Sequence, residues 1–175
     1  MTFHETELPG VFEIRIEPHP DERGFFARTW CQKEFEGHGL AAKLVQCSVS
    51  FNRRAGTLRG MHYQVVPWAE TKLVRCTQGA IYDVVLDLRP ESPTFKGWIA
   101  VVLTAEKRNM VYVPEGCAHG FLTLEDQSEV FYQMSQFYNA DSARGVRWDD
   151  PAFQIAWPRE VTLISKRDRD YPNFE

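Results

Sequence analysis

The residues best suited to chemistry are His62, in Leu58-Arg59-Gly60-Met61-His62-Tyr63-Gln64, and His119, in Pro114-Glu115-Gly116-Cys117-Ala118-His119-Gly120-Phe121. Imidazole exchanges its proton near neutral pH, so it serves as a general base or acid, and it is also the commonest metal ligand. A metal reading would combine His62, Gln64, Glu70 and His119. That donor set is poor. A carboxamide replaces a stronger ligand, and in a strand Lys72 would share the face of Glu70 and bring a cation beside the ion. Both histidines could also be structural. Proton transfer suits them better, with Lys72 able to stabilise developing negative charge.

These groups must be positioned by short strands. Lys72–Thr77 is followed by a Gln78-Gly79 turn, then by Ala80–Leu88, rich in β-branched residues. Arg89–Pro93 is the next turn, and Trp98–Leu103, Val111–Val113 and Glu129–Met134 are further strands. Many short strands punctuated by glycine and proline, with little helix, predict an antiparallel sandwich or barrel. In a small barrel the inward residues of adjacent strands converge on the mouth, so His62 and His119 would share one pocket. The N-terminal part, with Pro9-Gly10, Pro18, Pro20 and Asp21-Glu22-Arg23-Gly24, reads as irregular, with turns between short strands. One or two helical turns are expected over Lys33–Gly39 and a short helix within Trp157–Glu175. With no repeat, long linker or low-complexity segment, residues 1–175 read as one domain.

Composition sets the outer bounds. The chain has 175 residues, 43% hydrophobic and 13% aromatic, with a formal charge of −4 and no basic block. That excludes general nucleic-acid binding, which needs a clustered cationic face, but leaves room for a small anionic ligand held by a few arginines. No stretch approaches a membrane span of roughly 18 apolar residues. The N-terminus lacks the basic and apolar regions of a signal peptide. Cys31, Cys47, Cys76 and Cys117 form no CxxC. They read as reduced thiols of a cytoplasmic protein.

Pro114–His119 is similar to the PxGxxH turn and strand of cupins, and His62 stands where cupins carry an HxH pair. Further strings extend the resemblance: Asp21-Glu22-Arg23-Gly24-Phe25-Phe26, Gly56–Gln64, Lys72-Leu73-Val74-Arg75, Gly145-Val146-Arg147-Trp148-Asp149-Asp150-Pro151 and Ala156-Trp157-Pro158. In this order they resemble the dTDP-4-dehydrorhamnose 3,5-epimerase family across nearly the whole chain. The resemblance implies an all-β cupin, a jelly-roll barrel of antiparallel strands with a few short helices. It implies a homodimeric isomerase without metal or cofactor, with an N-terminal strand exchanged across the dimer. The reaction it implies is epimerisation at C3, C5 or both of a nucleoside-diphosphate 4-keto-6-deoxy sugar. His62 matches the family's base, Asp168 the carboxylate paired with it, Tyr132 the proton donor, and Lys72 the cation beside the 4-keto oxygen. Substrate contacts are implied for Arg23, Phe26, Arg28, Gln46, Arg59, Lys72, His119 and Arg167, and base stacking for Tyr138.

Several positions depart from the pattern. Arg28 replaces a common glutamate, Gln46-Cys47-Ser48 replaces a Gln-Asp-Asn stretch, Ala143 stands near a usual acidic residue, and Arg167 replaces a lysine. The proton chemistry is therefore expected to be kept, while the nucleotide is dTDP or, in view of these changes, CDP or GDP. The alternatives are a nucleotide-sugar 3,4-ketoisomerase, a metal-dependent cupin enzyme such as a dioxygenase, and a non-catalytic sugar-nucleotide binding module.

Overall fold

The computed structural model describes residues 1–174. Its strands are β1 (Thr2–Glu5), β2 (Phe12–Arg15), β3 (His19–Asp21), β4 (Gly24–Phe26), β5 (Gln46–Asn52), β6 (Thr57–Gln64) and β7 (Lys72–Gln78). They continue with β8 (Ala80–Asp87), β9 (Trp98–Thr104), β10 (Met110–Val113), β11 (Cys117–Thr123), β12 (Ser128–Met134), β13 (Ala143–Gly145) and β14 (Leu163–Ile164). The helices are short: α1 (Gln32–Gly37) and α2 (Lys166–Arg169).

One sheet runs β1-β2-β10-β7-β12-β5, and the other runs β13-β6-β11-β8-β9 with β14 added beside β6. Every pairing is antiparallel except that of β14 with β6. The two sheets pack face to face into a jelly roll, the sandwich or barrel that the strand punctuation predicts and the cupin form that the resemblance implies. Strand alternation sends neighbouring residues to opposite faces. Val74, Cys76, Val130, Ile81, Val85 and Phe121 therefore meet in the core between the sheets. Met61, Val84, Leu86 and Ala118 point the other way and are covered by Val146, Phe153 and the C-terminal segment. On the outside of the first sheet, Leu73, Met110, Tyr112 and Ile14 are covered by Phe35 of α1 together with Leu40 and Ala42.

The N-terminal part is more regular than its sequence reads. β1 pairs with β2, and β2 with β10 of the same chain. Only the β3–β4 hairpin stands apart as a small separate sheet. No helix among the described residues is long and apolar enough to cross a membrane.

Candidate active site

A cavity of about 580 Å³ lies between the sheets, walled by Ser50, Arg59, His62, Lys72, His119, Phe121, Tyr132, Arg167 and Asp168, among others. A second lobe of about 350 Å³ adds Gln46, Tyr63, Gln64, Glu70, Tyr138 and Arg144, and shares His62, Lys72, Tyr132 and Arg167 with the first. These shared residues mark the junction of the lobes.

His62 and His119 lie directly opposite one another on β6 and β11. Each imidazole is held by a carboxylate. His62 Nε2 lies 2.6 Å from Asp168 Oδ1, and His119 Nε2 lies 2.8 Å from Asp83 Oδ2. With the ring proton on Nε2 donated to Asp168, Nδ1 of His62 is left with its lone pair to accept a proton. The other oxygen of Asp168 accepts the Gly60 N–H at 3.3 Å. Burial pushes the Asp168 carboxyl up, but the bonds from His62, Gly60 and Ser165 outweigh it and hold the group below its ordinary value. Asp168 thus stays ionised and supports a positive imidazolium.

Asp168 comes from far along the chain, on the short α2. Ser165 caps that helix, its hydroxyl accepting the Asp168 N–H at 3.0 Å. Ser165-x-x-Asp168 has the form of a capping box, in which the carboxylate reaches back to the cap amide. Here the carboxylate turns instead to His62. Glycine is required at Gly60: its φ is +128°, and a Cβ there would lie 2.5 Å from Gly120 Cα. The two strands that carry His62 and His119 approach closely because both positions lack side chains.

Tyr132 belongs to the facing sheet. Its ring meets His119 edge-on, with centroids 6.1 Å apart. Burial first, then the charge of Asp83, pushes its hydroxyl well above the ordinary tyrosine range, although Arg59 opposes the shift. The group is therefore protonated at any ordinary pH. Lys72, also on that sheet, reaches across to donate to the His62 carbonyl at 3.3 Å and pairs with Glu70 at 3.2 Å. An ammonium has three N–H bonds, so one remains for a ligand oxygen. Arg59 donates Nε–H to Asn52 Oδ1 at 2.7 Å and an Nη2 hydrogen to the Phe51 carbonyl at 3.5 Å, leaving the rest of its guanidinium fork for a ligand.

Gln46 accepts the Tyr138 N–H at 2.8 Å, and the Tyr138 side chain is exposed at the rim. Arg167 donates Nε–H to the Tyr171 hydroxyl at 2.9 Å. The sequence-derived set is thus brought together except for Arg23, Phe26 and Arg28. Those three lie on or just beyond the β3–β4 hairpin and do not line the cavity of their own chain. Arg23 pairs with Asp21 at 2.6 Å, and Arg28 with Glu34 at 3.4 Å.

The donor set weighed for a metal does not converge. Gln64 spends its nitrogen on the carbonyls of Trp68 and Phe137 and its oxygen on the Asn139 N–H. The Glu70 carboxylate is committed to Lys72 rather than standing free beside it. The described residues contain no group of three or more His, Cys, Asp or Glu placed to hold a metal ion.

The sequence reading missed Asp83, Ser165 and Tyr171. Asp83 alternates with Ile81 and Val85 on β8, and a carboxylate on an inward apolar face was a readable signal. Its carboxyl is fully buried, and Oδ1 has no hydrogen-bond partner. Burial pushes it up, against the pull of His119 and Lys72.

Comparison with known proteins places this arrangement in context. Residues 5–175 match the family model described as dTDP-4-dehydrorhamnose 3,5-epimerase. A protein of that name from Shigella flexneri is 41% identical over 175 residues, covering 99% of this chain and 96% of that one. The crystal structure of a dTDP-4-dehydrorhamnose 3,5-epimerase from Bacillus anthracis, with TDP and PPi bound, superposes with a TM-score of 0.95 at 40% identity, covering 99% of each chain. ChmJ, a 3'-monoepimerase from Streptomyces bikiniensis solved with dTDP-quinovose, superposes with a TM-score of 0.89 at 33% identity, covering 97% of this chain and 86% of that one.

Proposed function

The chain belongs to the dTDP-4-dehydrorhamnose 3,5-epimerase family, an isomerase acting on a nucleoside-diphosphate 4-keto-6-deoxy sugar, and we propose that it inverts both C3 and C5 of the dTDP-linked sugar. The observation that supports this reading is the division of labour between the sheets. His62 with Asp168 stands on one wall of the cavity, while Tyr132 and Lys72 stand on the other.

Hydrogens on C3 and C5 are acidified by the C4 ketone. His62 Nδ1 takes one of them, and the electron pair of the broken C–H bond moves onto the C4 oxygen as an enolate. The free N–H of Lys72 stabilises that oxygen, an electrostatic contribution that is often the largest in such reactions. The enolate carbon then takes the Tyr132 proton on its opposite face, and configuration inverts without any net redox change. The resulting phenolate regains a proton from solvent, and the imidazolium releases one. Arg59 and Arg167 supply planar forks for the diphosphate, and Tyr138 at the rim offers a stacking surface for the base.

The active form we propose is a homodimer. Beyond α1, the outer face of the first sheet is uncovered: Val49 and Phe51 are 57% and 47% exposed on its edge strand. Phe26 on the hairpin is 69% exposed. A second copy seated on this face would cover these residues and carry Arg23, Phe26 and Arg28 toward its neighbour's cavity. Residues 1–175 then act as one cupin epimerase domain, in a cytoplasm that keeps its free thiols reduced.

The test is turnover of dTDP-4-keto-6-deoxyglucose in D₂O, read by mass spectrometry and proton NMR. Deuterium at both C3 and C5, with the L-configured product, is expected. Deuterium at one carbon would make the enzyme a monoepimerase, and no exchange with dTDP, CDP or GDP sugars would overturn the reading.

A further inference from the structure

Gly145 lies directly across from His62 in the β13–β6 pairing. Its φ lies outside the left-handed region, so the backbone alone would accept alanine. Space is what demands glycine. A Cβ at this position would come within 2.2 Å of Tyr171 Cζ and 2.3 Å of its Cε2. The Tyr171 ring thus fills the place a side chain would take opposite the proposed base. Tyr171 follows α2, the helix that supplies Asp168 and Arg167.

Tyr171 makes two further contacts. Its ring stands edge-on to the His62 imidazole, with centroids 6.3 Å apart and planes at 71°, a favoured geometry for an aromatic pair. Its hydroxyl accepts the Arg167 Nε–H at 2.9 Å. Arg167 has no carboxylate partner among the described residues, so phenol hydroxyls orient its fork at the junction of the two lobes, Tyr171 first and Tyr138 second. Nor does Tyr171 belong to the outer apolar cluster that the C-terminal segment covers. Its contacts are with the site.

We propose that Tyr171 is a positioning residue, seated in the space left by Gly145, where one ring braces the base His62 and one hydroxyl orients Arg167. The inference rests on the roles proposed above for those two residues. The imidazole is then fixed from both sides, by Asp168 through a hydrogen bond and by Tyr171 through its ring. Base and phosphate contact are thus served by one side chain, the ring facing the base and the hydroxyl facing Arg167.

The test compares Gly145→Ala, Tyr171→Ala, the double variant and Tyr171→Phe with the wild type. Ring-proton NMR of His62 without substrate is the first readout. Tyr171→Ala should shift these resonances through lost ring current. Gly145→Ala should shift them as well by displacing the ring, and the double variant should resemble Tyr171→Ala. In turnover, each alanine variant should lose about 10- to 100-fold in kcat, as misplacement of a catalytic group does, and the losses should not multiply. Tyr171→Phe keeps the ring, so kcat should hold while KM rises about 2- to 10-fold for one lost hydrogen bond. Unmoved His62 resonances, a Gly145→Ala enzyme with wild-type kcat, or losses that multiply in the double variant would overturn the inference. A folded wild type that epimerises nothing would instead defeat the proposed function, and the His62 resonances would still decide the role of Tyr171.

Discussion

At the scale of the residue, the 2.6 Å contact between His62 and Asp168 governs the rest. It fixes the tautomer and stabilises the imidazolium, so Asp168→Asn, which keeps shape but loses charge, should lower kcat by about 10²–10⁴-fold in steady-state assays. The same pair has a pH signature. Because the folded Asp168 carboxyl lies below its ordinary value, its contribution to stability is complete above the unfolded range near pH 4 and is lost as pH falls through the folded value. Thermal melts should therefore show the wild type losing stability in acid faster than Asp168→Asn, with the two curves converging. Curves that stay parallel would mean that Asp168 is not the ionised partner.

Elements bring this pair together, and here the sequence is unevenly legible. β7, β8, β9, β10 and β12 were readable because each is a run of β-branched or aromatic residues bounded by glycine, proline or polar turns. β1 to β4 were not. They are three or four residues long, too short for an alternation to show, and β2 owes its place to pairing with β10, a contact local pattern does not carry. Asp168 was assigned only from the order of motifs, since 106 residues separate it from His62. Ser165-x-x-Asp168 carried a local signal for the helix start, yet nothing local announced that its carboxylate would leave the cap for a histidine. The cap is itself testable. Ser165→Ala should cost about 1 kcal/mol of stability, as lost N-caps do, and should lower kcat more than KM by loosening Asp168. Unchanged kcat would show that Asp168 holds its place without α2.

At the scale of the whole molecule, the exposed apolar residues of β5 and the separate β3–β4 sheet support the proposed homodimer, in which a second copy would complete the site. Val49→Asp with Phe51→Asp should yield monomers in sedimentation and weaken turnover, because Arg23 and Phe26 can no longer reach a neighbouring cavity. A fully active monomer would contradict this. Arg23, Phe26 and Arg28 were assigned to the ligand by motif alone and stand outside the cavity of their own chain; the proposed dimer would bring them to a neighbour's. The central claim, proton removal from one sheet and delivery from the facing one, is tested most directly with Tyr132→Phe incubated with substrate in D₂O. His62 should still remove the proton and return deuterium to the same face, so recovered, uninverted sugar should gain deuterium while product formation collapses. If exchange and inversion fall together to the same extent, the acid does not stand on the opposite wall and the account is wrong.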